Sequence, residues 1–301
     1  MKSNRRTFIK TGALAFAGTT VLNNSLFAAP EQKGITGLQL YSIRDDMSRD
    51  PLGSLAKLAA TGYEYIEHAS YTDRKFYGYK AHEFKKILDD MGLKMISGHT
   101  EMGRQHWDKA RKDFSESWKF TLEDAAILGQ KYVVSPWLDE SIRKNYDDLR
   151  GFLDLFNKCG ELCKKQGMKF GYHNHNFEFS EKLNGESLFN IIMKSIDPDL
   201  VVMQLDIGNL FDGGAVALDV VNQYPGRFEN VHVKDVKKTD GDGKYESTII
   251  GEGVADVRKV IALIKSTGGA QVMIIEQESY QGKNPMECVK RDLEIMQEWN
   301  Y

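Results

Sequence analysis

Histidines and carboxylates in this 301-residue chain gather at the ends of short apolar runs. One run closes with Glu67-His68, another with His99-Thr100-Glu101. Later runs close with His173-Asn174-His175 and Glu178 just beyond, with Asp206-Ile207-Gly208-Asn209, with His232-Val233-Lys234-Asp235 and with Glu276-Gln277-Glu278. Two more end in Gln39-Leu40-Tyr41-Ser42-Ile43-Arg44 and Ser135-Pro136-Trp137. A single such residue is more often a helix cap than a ligand, but a whole series is hard to attribute to packing. Imidazoles and carboxylates from consecutive strands can converge on one ion. That mixed donor set suits Mn, Zn, Co or Fe better than calcium, which prefers oxygen alone.

The elements that must position these residues alternate in a regular way. Strand-like runs at Ile35–Tyr41, Tyr63–Glu67, Leu93–Gly98, Lys131–Ser135, Met168–His173, Leu200–Asp206, Phe228–Val233 and Gln271–Glu276 alternate with amphipathic stretches. The latter predict helices over Asp50–Ala60, Lys80–Met91, Asp108–Leu128, Asn145–Gln166, Glu186–Ser195, Ala215–Gln223, Val254–Ser266 and Met286–Trp299. Repeated strand–helix units demand parallel strands joined by helical crossovers. Eight of them predict a single-domain α/β fold, a closed (β/α)8 TIM barrel over residues 30–301. An open doubly wound sheet would carry a glycine-rich phosphate loop after its first strand, and none is present. In a closed barrel the chemistry sits at the C-terminal ends of the strands, where the polar residues fall.

Residues 1–29 read as a leader. Lys2, Arg5, Arg6 and Lys10 precede an apolar stretch from Thr11 to Leu22, and Ala28-Ala29 offers a cleavage point. Asn4-Arg5-Arg6-Thr7-Phe8-Ile9-Lys10 resembles a twin-arginine signal, which predicts the twin-arginine export machinery as a partner and a periplasmic or otherwise exported protein. The remainder has no apolar run long enough to span a bilayer. The chain's net charge is −3, and losing a leader with basic and no acidic residues makes it more acidic. That argues against nucleic acid as a partner. Cys159, Cys163 and Cys288 have neither zinc nor redox spacing and read as core or surface residues. Asp240-Gly241-Asp242-Gly243 looks like part of a calcium loop, but Gly251 stands where the closing Glu would be, so it reads as a turn. His82 and His106 read as surface helix residues.

Four segments carry a family resemblance: Gly37–Arg44, Gly171–Phe179, Asn230–Asp235 and Gly251–Asp256. Together they resemble the xylose-isomerase-like TIM-barrel superfamily, in its sugar phosphate isomerase/epimerase branch. The resemblance implies one divalent metal ion of undetermined identity, held by residues of strands five to eight. It places Asp206, His232 and Glu276 among the ligands, with Glu178 favoured over His173 as the fourth. Asn209 departs from the His that epimerases often carry there. The implied chemistry is proton abstraction next to the carbonyl of a small-molecule sugar, through an enediolate, with Glu178 and Glu276 as acid–base groups. Tyr41, His99, Trp137, His173, His175 and Lys234 would contact the substrate. For Trp137 the alternative is core packing, and for Lys234 an ion pair with Asp235. The same enolate can expel a β substituent, which keeps open a lyase or dehydratase of 3-keto-glycosides or inosose-like sugars. A non-catalytic sugar-binding protein is a third reading, and an endonuclease of the same superfamily would need a basic groove. Oligomeric state, a homo-oligomer included, is left open.

Overall fold

The structure is a computed structural model that describes residues 34–240 and 244–301. The leader, residues 1–29, lies outside the described residues, as does most of the Asp240-Gly241-Asp242-Gly243 turn. Eight parallel strands close into a barrel: β1 Ile35–Gln39, β2 Tyr65–His68, β3 Lys94–His99, β4 Tyr132–Ser135, β5 Lys169–His173, β6 Val201–Asp206, β7 Asn230–Val233 and β8 Val272–Ile275. Each pairs with its neighbours in sequence, and β8 returns to β1 with Ile35 opposite Val272.

Eight main helices follow the strands in turn: α1 Pro51–Ala60, α2 Ala81–Asp90, α3 Glu116–Leu128, α4 Tyr146–Lys165, α5 Leu188–Ser195, α6 Ala217–Gln223, α7 Val257–Ser266 and α8 Pro285–Glu298. Local chemistry sets their ends. Asp50, Ser115, Asn145 and Asn284 each accept a backbone N–H of the first turn, and Pro51 and Pro285 begin α1 and α8, where a missing N–H costs nothing. Helix α3 starts later than its pattern predicts. Residues 107–114 instead form a hairpin, Trp107–Asp108 against Asp113–Phe114, and His106 lies half-buried against Trp118 with ring centroids 5.0 Å apart.

Strand alternation divides the apolar residues into two layers. Phe170, Tyr172, Met203, Leu205, Val231, Val233, Met273 and Ile275 face outward into the main core beneath the helices. Ile96, Tyr132, Val134, Val202, Val272 and Ile274 fill the barrel interior. All three cysteines are free and buried, and the Trp118 indole N–H donates to Cys159 Sγ at 3.1 Å. Among the described residues no helix is long and apolar enough to cross a membrane.

Candidate active site

The alternation that turns Tyr172, Leu205, Val233 and Ile275 outward turns His173, Asp206, His232 and Glu276 inward. These four stand on or just after β5, β6, β7 and β8, and register sets Asp206 directly opposite His232. One donor atom from each lies within 4.8 Å of all the others, and all four residues are buried. His173 Nε2 and His232 Nδ1 each approach Asp206 Oδ2 at 3.9 Å, and His232 Nδ1 meets Glu276 Oε2 at 3.1 Å.

The outer nitrogen of each imidazole is held from below. His173 Nδ1 donates to Gln204 Oε1 at 3.1 Å, and His232 Nε2 donates to Glu67 Oε1 at 2.6 Å. An acceptor on the outer nitrogen fixes the ring and, once the inner nitrogen has given up any proton, leaves its lone pair for an ion. Glu67 is fully buried and also accepts from Gln39 Nε2 and Gln204 Nε2, both at 2.8 Å. Asp206 Oδ2 is buried and accepts no hydrogen bond, although the Lys234 ammonium lies in ion-pair range of it. A buried carboxylate oxygen in that state, two imidazoles oriented by outer acceptors and a second carboxylate make a donor set that fits a divalent transition metal.

Lys234 follows β7, and its ammonium lies 3.1 Å from Asp206 Oδ2, 2.9 Å from Glu276 Oε2 and 2.7 Å from Glu278 Oε2. It does not pair with Asp235, because that carboxylate is taken by the backbone N–H groups of Val236, Gly251, Gly253 and Ala255. Gly208 lets the lysine stem pass, since a Cβ there would lie 2.8 Å from Lys234 Cγ.

Burial and neighbouring charge set the protonation states. Burial opposes the charge on Lys234, but Asp206, Glu276 and Glu278 outweigh it and hold the ammonium well above its ordinary value. Burial likewise opposes the charge on Glu276, and Lys234 and His232 override it, holding its carboxyl well below the usual range. His232 is pushed up to about 10, because Glu67 and Glu276 overcome burial. Burial raises Asp206 to about 6. His173 is driven well down by burial and by the other imidazoles, and His175 falls to about 4 by burial and Lys234, so both are neutral at pH 7.

Above the cluster lies a cleft of about 470 Å³, walled by Tyr41, His99, His173, His175, Lys234 and Glu276 among others. His99 Nε2 reaches Gln204 Oε1 at 2.7 Å and Glu67 Oε1 at 3.1 Å. Trp137 is 40 % exposed at the rim, edge-on to His175 and Phe177, outside the core and outside the cleft wall.

Glu178 is the sequence candidate that the fold keeps away from this cluster. It sits on the short helix Phe177–Ser180, accepts the hydroxyl of the outward-facing Tyr172, and takes the His175 backbone N–H at 2.8 Å. Burial raises its carboxyl to about 7. The strand-five position in the cluster belongs instead to His173, which alternation along β5 turns inward, whereas Glu178 lies beyond the strand with both oxygens engaged by Tyr172 and the His175 N–H. Sequence reasoning noted Glu67 and Gln39 at strand ends without giving them a role, and passed over Gln204. Their signal is a polar residue at an inward position of β2, β6 and β1, where packing alone would select an apolar one.

Comparison with known proteins adds relatives to this geometry. A family model described as Xylose isomerase-like TIM barrel matches residues 55–299. Inosose dehydratase of Clostridium perfringens is 26% identical over 223 residues, covering 68% of this chain and 65% of that protein, so the match spans just under two thirds of the relative's length. A solved sugar phosphate isomerase/epimerase from Parabacteroides distasonis is 26% identical, covers 90% of this chain and 96% of its own, and superposes with a TM-score of 0.74. The IOLI protein with a binding zinc atom shares the fold at TM-score 0.67 and 14% identity, over 88% of this chain and 97% of its own.

Proposed function

This chain belongs to the Xylose isomerase-like TIM barrel family, and from that premise we propose that it is a divalent-metal-dependent enzyme acting on a keto sugar or keto polyol. Its first step removes the proton next to the carbonyl. The observation that carries this reading is the convergence of His173, Asp206, His232 and Glu276, with both imidazoles oriented by outer acceptors. Those four side chains would hold the ion, which when bound supplies Lewis-acid polarisation of a carbonyl.

The chain's own residues do the rest. Glu276 keeps 6 % of its surface open at the cleft floor and accepts the proton. Lys234 stays charged and faces the oxygen on which negative charge develops. His99, on the cleft wall, can hand a proton to a departing group or to carbon, and the neutral His175 beside it can accept one. Tyr41, exposed on the cleft wall, offers a ring face to the sugar.

Once the proton is removed, a β substituent is expelled, giving a lyase or dehydratase. Isomerisation or epimerisation by two facing carboxylates needs a partner for Glu276; Glu178 bonds to Tyr172 instead, and of the other carboxylates lining the cleft, Glu101 and Glu278, the latter is paired with Lys234. The inosose dehydratase relatives agree with elimination. The isomerase/epimerase reading is favoured by the whole-length likeness to the Parabacteroides distasonis structure, with an imidazole then returning the proton. Export by the twin-arginine route belongs to the same proposal and rests on Asn4–Lys10.

Incubating the Mn-loaded protein with keto sugars and inososes in deuterated water, then recording NMR spectra, tests this. Deuterium at the carbon next to the carbonyl supports the proposal. Loss of the β substituent then separates elimination from isomerisation. Absence of exchange on every ketone with Mn, Zn, Co or Fe added would refute it.

A further inference from the structure

The loop after β2 is tied down more firmly than a surface connection requires. Ala69, Ser70, Tyr71 and Thr72 form one wall of the central cleft. From Tyr71 onward the chain folds into a three-stranded meander, with Tyr71 opposite Phe76, Thr72 opposite Lys75 and Phe76 opposite Tyr79. Its first turn is Asp73-Arg74, and both residues have positive φ, at 50° and 59°. A two-residue hairpin turn usually takes Gly in one of those places. A side chain as bulky as Arg persists there only when its surroundings hold it.

Asp124 of helix α3 does the holding. It is buried, and it does not line the cleft. The Arg74 guanidinium donates to both of its oxygens, from Nε to Oδ2 at 3.0 Å and from Nη2 to Oδ1 at 2.8 Å. The Tyr71 hydroxyl donates to Oδ2 at 2.7 Å. The guanidinium carbon also lies 4.1 Å from the Phe120 ring centroid, and Glu123 stands 3.6 Å from Nη2. A buried carboxylate on a helix costs stability unless it is paired, and here all three bonds come from the meander. A two-pronged contact fixes orientation as well as distance. Tyr71 thus has its hydroxyl anchored on α3 while its ring packs against Phe76, with centroids 4.7 Å apart, and borders the cleft. A second tie lies at the start of the wall, where the Ala69 N–H donates to the Tyr77 hydroxyl at 3.0 Å.

We infer that Asp124 is a positioning residue for the substrate: through Arg74 and Tyr71 it holds the wall of residues 69–72 against the molecule lying over the cluster. The inference rests on the proposed keto-sugar reading for what fills the cleft. The wall supplies none of the groups that move the proton. It contacts the bound ketone before and during proton transfer alike, so loosening it weakens binding without slowing the chemistry.

Two variants of the full chain, with Mn added, test this. Asp124→Asn removes the charge that holds the guanidinium. Arg74→Gly removes the guanidinium from an exposed position and relieves the left-handed backbone, so the turn survives even where the first variant folds poorly. Hydrogen–deuterium exchange of the amides of residues 69–80, read by mass spectrometry, should quicken by about tenfold or more in both variants, with the rest of the barrel unchanged. Kinetics of deuterium uptake by the keto sugars and inososes, D-fructose among them, should show KM raised about tenfold and kcat changed less than about threefold. Bound Mn should match that of the parent chain. A merely structural role would lower the melting temperature and leave KM alone. An unchanged KM, a fall in kcat alone, or amides that quicken nowhere or throughout the barrel overturns the inference and leaves the enolate reading standing. No uptake by any ketone with the parent chain is a different failure: it refutes the enolate reading and removes this inference with it.

Discussion

Glu67→Gln is the substitution that tests most sharply how the site is held. Glu67 is completely buried, and its two oxygens take hydrogen bonds from His232 Nε2 at 2.6 Å and from Gln39 and Gln204 at 2.8 Å each. Burial works against the carboxylate, but His99 and His232 hold it well below the usual range. Glutamine keeps the shape and one acceptor oxygen, yet it removes the charge and points an N–H₂ at donors. Taking one partner from a buried ion pair costs about 3–5 kcal/mol, so the metal-free variant should be less stable by about that amount at pH 7. The pH dependence has a definite sign. His232 is raised from 6.5 to about 10 in the folded state, so the stability it lends through Glu67 and Glu276 is full below pH 6.5 and is lost as pH rises through 10. Urea unfolding of both proteins with chelator present, at pH 7 and pH 10, gives the comparison. The gap between them should be widest at pH 7 and shrink toward pH 10. A gap below about 1 kcal/mol at pH 7, or one that does not narrow, would refute the reasoning, since that is no more than an exposed pair contributes.

Three further outcomes are expected. Glu178→Gln should retain one bound divalent ion per chain by metal analysis and fold normally, because Tyr172 and the His175 amide can be satisfied by an amide, whereas Glu276→Gln should lose the ion. Asp292 is fully buried, accepts from the Ile250 N–H at 2.8 Å, and is raised by burial from 3.8 to about 7. The folded state therefore binds the extra proton between those values, and stability falls as pH rises across that window. Asp292→Asn should remove the slope and gain on the order of 3 kcal/mol at pH 8 relative to pH 4, measured by urea midpoints. Gly208→Ala places a Cβ 2.8 Å from Lys234 Cγ and should push the ammonium off Asp206 and Glu276, lowering turnover by about tenfold or more while the far-ultraviolet circular dichroism is unchanged.

Much of this was legible in the sequence because barrel strands write their pattern plainly. Strand runs such as Lys131–Ser135 and Met168–His173 agree with the structure to within a residue at either end, and turn residues such as Gly129 at φ 79° mark where α3 stops. Asp206, His232 and Glu276 were legible as cluster members for the same reason: each closes a strand at an inward position. Glu178 was read as the fourth because it keeps the strand-five carboxylate that the family resemblance implies, but spacing along a loop does not say on which side of the wall a side chain lands. Only the Tyr172–Glu178 contact does. Glu67 was noted without a role, and Gln204 not at all, for a related reason, since their importance comes from contacts with His232 and His173 far away in sequence. The hairpin at residues 107–114 was folded into helix α3 because its amphipathic spacing runs on continuously, and the turn at Asp108–Arg111 is made by local side-chain bonds that periodicity does not record.

The central claim is that His173, Asp206, His232 and Glu276 hold one divalent ion. Anomalous X-ray diffraction from crystals grown with Mn tests it most directly. A single strong site per chain is predicted among those four side chains, with Glu178 still bonded to Tyr172. A Mn ion coordinated by Glu178 in place of His173, or no ion between β5 and β8 at saturating Mn, would contradict it.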